Sequence, residues 1–413
     1  MNKLFVHINF GTTSHCVGTL FLSEKMGRHV FAYNRDFIGK GLEISPRNMP
    51  LGNATYVAER NSDLYDLHGV FADSLPDAWG KKVQDAEFQK IGLHNASALD
   101  RLAFVGRYGI GALRYEPAQE FEQGKKAVQC ADLRKAAQKI IAGRPDTVVD
   151  ELLHSGGSAG GARPKFLVDL DTKSLDMLRY TRGAPEGDFF PVILKVPLRN
   201  DDQYQRIEYA YSQMAIKAGI NILESYLLDG KTDKRAYFAM RRFDILANGT
   251  RLHTHTFAGL LGINFREAVP DYSTLLRVTG DLTRNHVDVV EAYRRMVFNY
   301  LGSNLDDHAK NITFTMDQKG QWALAPAYDI GYSTAADNLH AMAINGKRRN
   351  AILSDFKHVA EDFDVREWKK IVEQTAHSLR KWPSLAEKSG IPAKQATAIW
   401  NRIREHTDRL GHI

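Results

Sequence analysis

Asp306-Asp307-His308-Ala309-Lys310-Asn311, followed by Asp329-Ile330-Gly331, constrains this chain more than any other segment. It sets out, in order, a carboxylate, an amide five residues later and a second carboxylate before a glycine. That order suits phosphoryl transfer, in which a carboxylate accepts the proton of an attacking hydroxyl and hard oxygens hold magnesium against nucleotide phosphates. The spacing from Asp306 to Asn311 asks for a compact loop that aims the base at the acceptor and the amide oxygen at the metal. Taken singly, Asp306-Asp307 is more often a solvated turn or helix cap than a catalytic pair; the ordered set carries the chemistry.

Upstream segments follow the order of a kinase. Ser155-Gly156-Gly157-Ser158-Ala159-Gly160-Gly161-Ala162 is a run of small residues whose backbone can approach phosphates closely, although its composition also fits a flexible linker. It matches neither Gly-x-Gly-x-x-Gly nor the Walker A pattern. Phe166-Leu167-Val168 then reads as a strand, and Pro191-Val192-Ile193-Leu194-Lys195-Val196 as a second strand interrupted by one lysine. Lys195 suits a strand lysine that meets the α- and β-phosphates, or an edge lysine with its head in water. Glu208 follows thirteen residues later, where Ile207, Tyr211, Met214 and Ala218 recur at helical spacing and Gly219 marks a stop. It is the expected ion-pair partner of Lys195. Tyr237-Phe238-Ala239-Met240 reads as a further strand leading into Arg241-Arg242-Phe243-Asp244, where a kinase places its adenine-holding hinge, so Arg241 and Phe243 are expected at the nucleotide.

The chain resembles the HipA family of serine/threonine kinases, the toxin halves of bacterial toxin–antitoxin pairs. The stretches that carry the resemblance are Ser158 to Lys165, Ile193-Leu194-Lys195, Arg242-Phe243-Asp244, Asp306 to Asn311 and Leu324 to Asp329, spanning about 170 residues. Phe71-Ala72-Asp73-Ser74-Leu75-Pro76-Asp77-Ala78-Trp79-Gly80 is similar to that family's N-terminal subdomain. The resemblance implies ATP and Mg2+ as cofactors, Asp306 as catalytic base, Asn311 and Asp329 as metal ligands and Lys195 as the phosphate-binding lysine. It also implies autophosphorylation of Ser158 or Ser155, which would place about −1.5 to −2 charge beside the ATP phosphates and disfavour the closed loop. Arg163-Pro164 departs from the family's Gln-Glu at that place. His308 is expected to support the catalytic loop and Lys310 to steady the transferring phosphate. The implied partners are a small HipB-like DNA-binding antitoxin, with DNA contacted only through it, and an aminoacyl-tRNA synthetase as protein substrate. A small-molecule kinase and a catalytically silent corepressor scaffold are the alternatives.

The expected fold is α+β, a protein-kinase-like two-lobed fold with an extra N-terminal α/β subdomain. Residues 1–105 form that subdomain, 145–245 the kinase N-lobe and 246–413 a mostly helical C-lobe. Val290, Tyr293, Val297, Tyr300 and Leu301 share one helical face there, as do Val365, Trp368, Val372 and Leu379. With 43% hydrophobic and 25% charged residues the composition is globular. The longest apolar stretches fall far short of the roughly twenty residues that cross a bilayer. Two cysteines, Cys16 and Cys130, make neither a disulfide framework nor a zinc site, and a reducing cytoplasm is expected. The net charge of +6 includes the run Lys347-Arg348-Arg349, a solvated loop or a contact for nucleic-acid phosphates.

Overall fold

Alternation sets the first sheet. In β1 (Lys3–Asn9) Leu4, Val6 and Ile8 are fully buried while Lys3 and Phe5 face outward, the period of two that one covered face demands. β1 joins β2 (Ser14–Ser23), β3 (Arg28–Tyr33), β4 (Thr55–Val57) and β5 (Leu113–Glu116) in the antiparallel order β4-β3-β2-β1-β5. The hairpin expected between Val17–Leu22 and His29–Tyr33 is the β2–β3 pair. The computed structural model describes residues 1–76, 78–107, 109–118, 127–143, 163–175, 177–180, 184–198 and 201–409. The chain divides into two compact units: Met1–Asp202 with Leu228–Ile263 and Thr315–Gln321, and Gln203–Leu227 with Asn264–Phe314 and Trp322–Ile413.

A second sheet, in the first unit apart from the start of β10, is built from β6 (Ala127–Val128), β7 (Lys165–Asp171), β8 (Leu178–Tyr180), β9 (Phe189–Lys195), β10 (Ser225–Asp229) and β11 (Ala236–Arg241), in the order β10-β11-β9-β7-β8-β6. Its centre is covered on both faces, for Phe166, Leu167, Val168, Asp169 and Leu170 of β7 are all buried in succession. Asp169 is kept there by Arg179, at 3.3 Å across the β7–β8 pair.

Two polar clusters hold this unit together. Asp73, from the segment Phe71–Gly80, accepts from Thr256 N–H and the Thr256 hydroxyl, and its Oδ2 lies 2.7 Å from His255 Nδ1. His255 Nε2 in turn meets Ser45 Oγ at 3.0 Å. The order is that of a hydrolytic triad, but Ser45 is 1% exposed, so no substrate reaches it and the chain of bonds is a strut. The second cluster centres on Asp244, whose carboxylate takes a two-pronged bond from Arg242 (2.9 and 2.7 Å) and the Gly111 N–H at 2.7 Å. Arg114 and Arg251 both donate to Gly111 O, tying β5 to the segment after β11.

Burial pushes the Asp244 carboxyl up, but Arg242 beside it, then Arg251 and the Gly111 N–H, outweigh that and hold it below the usual carboxylate range. A carboxylate lowered on folding adds stability above its unfolded pKa, and that stability is lost as pH falls toward the folded value. Asp244→Asn is therefore expected to cost about 2 kcal/mol at pH 7, as for a bond to a charged group. The gap from wild type in urea midpoint should shrink steadily below about pH 4; a gap that is constant with pH would contradict this.

Helices make up most of the second unit: α1 (Gln203–Lys217), α2 (Tyr272–Thr283), α3 (His286–Leu301), α4 (Leu353–Asp362), α5 (Trp368–Leu379), α6 (Trp382–Lys388) and α7 (Ala393–Arg409). α1 carries the expected face of Ile207, Tyr211, Met214 and Ala218 inward and stops at Gly219, whose φ of +78° reverses the chain. In α3 the buried face holds Val289, Tyr293, Val297, Tyr300 and Leu301; Val290, expected in it, is only half-buried. The Tyr211 hydroxyl donates to Gly302 O at 2.6 Å and the Ser378 hydroxyl to Met214 O at 2.6 Å, so α1, α5 and the end of α3 are locked together. Among the described residues no helix is long and apolar enough to cross a membrane.

Candidate active site

α3 leads into the loop that carries Asp306 and Asn311. The helix ends at Gly302, Ser303 turns the chain with φ +54°, and the loop runs to a single 3-10 turn at Ala309–Asn311. Two hydrogen bonds set its shape: the Asp306 N–H donates to Ser333 Oγ at 2.8 Å, and Asn311 Nδ2 donates to the Asp306 carbonyl at 2.9 Å. The Asp306 side chain is left 71% exposed, open to an external hydroxyl. The spacing of five residues is thus what lets Asn311 close the loop on the backbone of Asp306.

Asp307 does the opposite. Its carboxylate is buried and accepts from the Tyr272 hydroxyl (2.8 Å) and the N–H groups of Ala341 (2.8 Å) and Met342 (3.3 Å), with His340 Nδ1 at 3.2 Å. Burial, with the Asp307 charge beside it, keeps the Tyr272 phenol far above its usual pKa and so always a donor. Asn299 Nδ2 donates to the same phenol at 3.0 Å, Asn304 Nδ2 to Asn299 Oδ1 at 3.1 Å, and the Ser333 hydroxyl to Asn304 Oδ1 at 3.3 Å. A continuous chain of bonds therefore runs from Asp307 back to the serine that holds Asp306.

Asn311 and Asp329 line one small pocket together with Asn304, Asp307 and Tyr328. Asp329 sits at φ +51°, a left-handed conformation that aspartate tolerates better than most residues. With its amide nitrogen spent on the loop, Asn311 has an oxygen left to offer. An amide oxygen and a carboxylate fit magnesium, which takes a few protein oxygens and completes its shell with phosphates and water. Among the described residues no three His, Cys, Asp or Glu side chains gather as a metal cage. Glu208 borders this region: a Cβ built on Gly331 would lie 4.0 Å from Glu208 Cα, so the Asp329–Gly331 turn rests against α1. His308 packs its ring on Phe265 at 4.7 Å with Nε2 3.7 Å from Asp306 Oδ1, and Lys310 Nζ lies 5.5 Å over the same Phe265 ring.

The remaining expected residues belong to the first unit. Lys195 ends β9, with Nζ 5.7 Å over the Phe238 ring of β11. Directly opposite it in register is Lys165 of β7, so both lysines project from the same face of the sheet. Trp79 braces Lys165, donating Nε1–H to its carbonyl at 3.2 Å, with its ring 5.9 Å from Phe166. Lys165 was not an expected site residue; only strand register discloses it. Arg241 places its guanidinium 3.9 Å over the Phe190 ring, and Phe243 is half-buried next to the Arg242–Asp244 pair. Ser155, Ser158, Ala159, Gly160, Gly161 and Ala162 lie outside the described residues.

Comparison with known proteins turns on two family models. The HipA-like C-terminal domain matches residues 157–409 and the HipA N-terminal domain residues 9–116. The chain belongs to the HipA family. It is 27% identical over 285 residues to a putative kinase, Y4dM, of Sinorhizobium fredii, a match covering 63% of this chain and 66% of that protein's length. In structure it is similar to the HipA of Shewanella oneidensis, solved in complex with HipB and operator DNA, with a TM-score of 0.68, 16% identity and coverage of 98% of this chain and 97% of the other. At that identity the likeness shows the fold, and the fold is the kinase-like α+β one expected.

Proposed function

We propose that this HipA-family chain is an ATP- and magnesium-dependent kinase that phosphorylates serine or threonine in a protein. The single observation that carries the reading is the loop itself: an exposed Asp306, shaped by Asn311, with Asn311 and Asp329 facing one pocket. Asp306 accepts the proton of the acceptor hydroxyl as its oxygen attacks the γ-phosphorus. Asn311 and Asp329 would hold magnesium, which when bound would supply positive charge against the nucleotide phosphates. Lys195, joined on its sheet face by Lys165, meets the α- and β-phosphates, and Lys310 steadies the transferred group. Positioning and charge supply the rate, with no covalent intermediate on the protein.

Membership of the family and the kinase named among the relatives support the same reading at a finer level. The chain acts as the toxin of a toxin–antitoxin pair, with a HipB-like antitoxin as partner, an aminoacyl-tRNA synthetase as target, and autophosphorylation at Ser158 or Ser155. The Shewanella oneidensis neighbour was solved with HipB and DNA, which favours a DNA-binding partner here. Titrating magnesium against ATP turnover tests the core of the proposal. Asn311→Ala and Asp329→Ala are each expected to lower the rate by about 100-fold or more and to raise the magnesium concentration that gives half the maximal rate. Variants with unchanged magnesium dependence would remove these two residues from the site.

A further inference from the structure

Beside the Asp306–Asn311 loop the second unit holds a cavity of about 130 Å³ whose walls include Ser333, His340, Arg349, Arg402, Glu405 and Arg409. Its charge is unbalanced. Glu405 is shared by two guanidiniums, Arg402 at 3.2 Å and Arg409 at 2.7 Å, each of which also donates to an asparagine, Asn338 and Asn350. Arg349, exposed in the wall, makes no hydrogen bond or ion pair with any described residue. Two positive charges are therefore in excess. His406, also in the wall, adds none: burial lowers its pKa, and Nδ1 faces the Tyr300 carbonyl at 2.8 Å.

His340 supplies an independent sign of a ligand. It is 3% exposed, is stacked on Tyr300 at 4.9 Å and has Nδ1 committed to Asp307, yet its Nε2 is buried with no partner. A buried polar atom left unpaired is costly, and a native structure that keeps one calls for an explanation. An oxyanion answers both features. Its oxygens take the spare guanidinium donors, and Nε2 either accepts from a P–OH or, as imidazolium, donates to a P–O oxygen.

We infer that this cavity binds a phosphate-class oxyanion beside the Asp306–Asn311 loop. From the kinase reading the inference takes only the placement of Asp306; the site adjoins the catalytic loop through two bonds, Ser333 to the Asp306 backbone and His340 to Asp307. The anion is a free ion or a phosphate carried on a peptide, and the chemistry is shared.

Isothermal titration of the full chain with inorganic phosphate, with the nucleotide site filled by magnesium and a non-hydrolysable ATP analogue, tests it without turnover. Wild type is expected to bind one phosphate. Arg349→Gln and Arg402→Gln, both at the surface, are expected to keep the wild-type melting profile and each to weaken binding about tenfold, the loss of one bond to a charged group. Tighter binding of a phosphoserine peptide than of inorganic phosphate assigns the anion to a peptide, and the reverse assigns it to a free ion; both uphold the site. No phosphate binding to wild type, or equal binding by both variants, overturns it. Failure of ATP turnover with phosphate binding intact would refute the kinase reading alone.

Discussion

Replacing Asp306 by Asn is expected to lower phosphoryl transfer by about 10²- to 10⁴-fold, the range for losing a positioned base, with no measurable change in stability. The carboxylate is 71% exposed, and its backbone, not its side chain, makes the two bonds that shape the loop. Asparagine keeps the size and the backbone bonds and removes the carboxylate that accepts the proton and faces His308 Nε2 at 3.7 Å, an exposed contact worth little to stability. Single-turnover rates at saturating ATP and magnesium, beside urea melts of both proteins, check it. A rate within about threefold of wild type would remove Asp306 from its role.

Asp307, the next residue, should behave in reverse. Asp307→Ala leaves the Tyr272 phenol, the Ala341 and Met342 N–H groups and His340 Nδ1 without their shared acceptor in a buried site. Removing one member of such a buried charged network costs about 3–5 kcal/mol, seen as a lower urea midpoint. Activity is expected to fall as well, because the bonds from Asp307 through Tyr272, Asn299 and Asn304 end at the serine that holds Asp306. A loss below about 1 kcal/mol would mean that the loop is held by other means.

The contrast between these two aspartates shows where sequence reading reaches its limit. Asp306, Asn311 and Asp329 stand out in the sequence because phosphoryl transfer would fix residue type, order and spacing, and spacing survives in a sequence; the structure brings Asn311 and Asp329 to one pocket. The strands β7, β9 and β11 and the helix α1 were legible from apolar periodicity. Asp307 was not separable from Asp306, since its partners Tyr272, His340 and Ala341 lie about thirty residues away on either side and nothing local points to them. Lys165 was quoted only as the end of a motif; its place opposite Lys195 depends on strand register, which the sequence leaves open. The same holds for Ser333 and Asn304, ordinary polar residues until the loop brings them together. The helix of Glu208, expected within the segment of Lys195, falls in the second unit, beside the Asp329–Gly331 turn. Tyr293, Val297, Tyr300 and Leu301 lie on the buried face of α3 as expected, whereas Val290 falls at its edge and Val289 is buried instead.

We propose that the Asp306–Asn311 loop moves a phosphoryl group from ATP. Intact-mass and phosphopeptide analysis after incubation with ATP and magnesium tests it most directly, with wild type and Asp306→Asn treated separately. Wild type is expected to gain one phosphate, mapped to Ser158 or Ser155, and the variant none. Wild type that binds ATP yet gains no phosphate and releases no ADP, or a variant that gains as much as wild type, would contradict the claim.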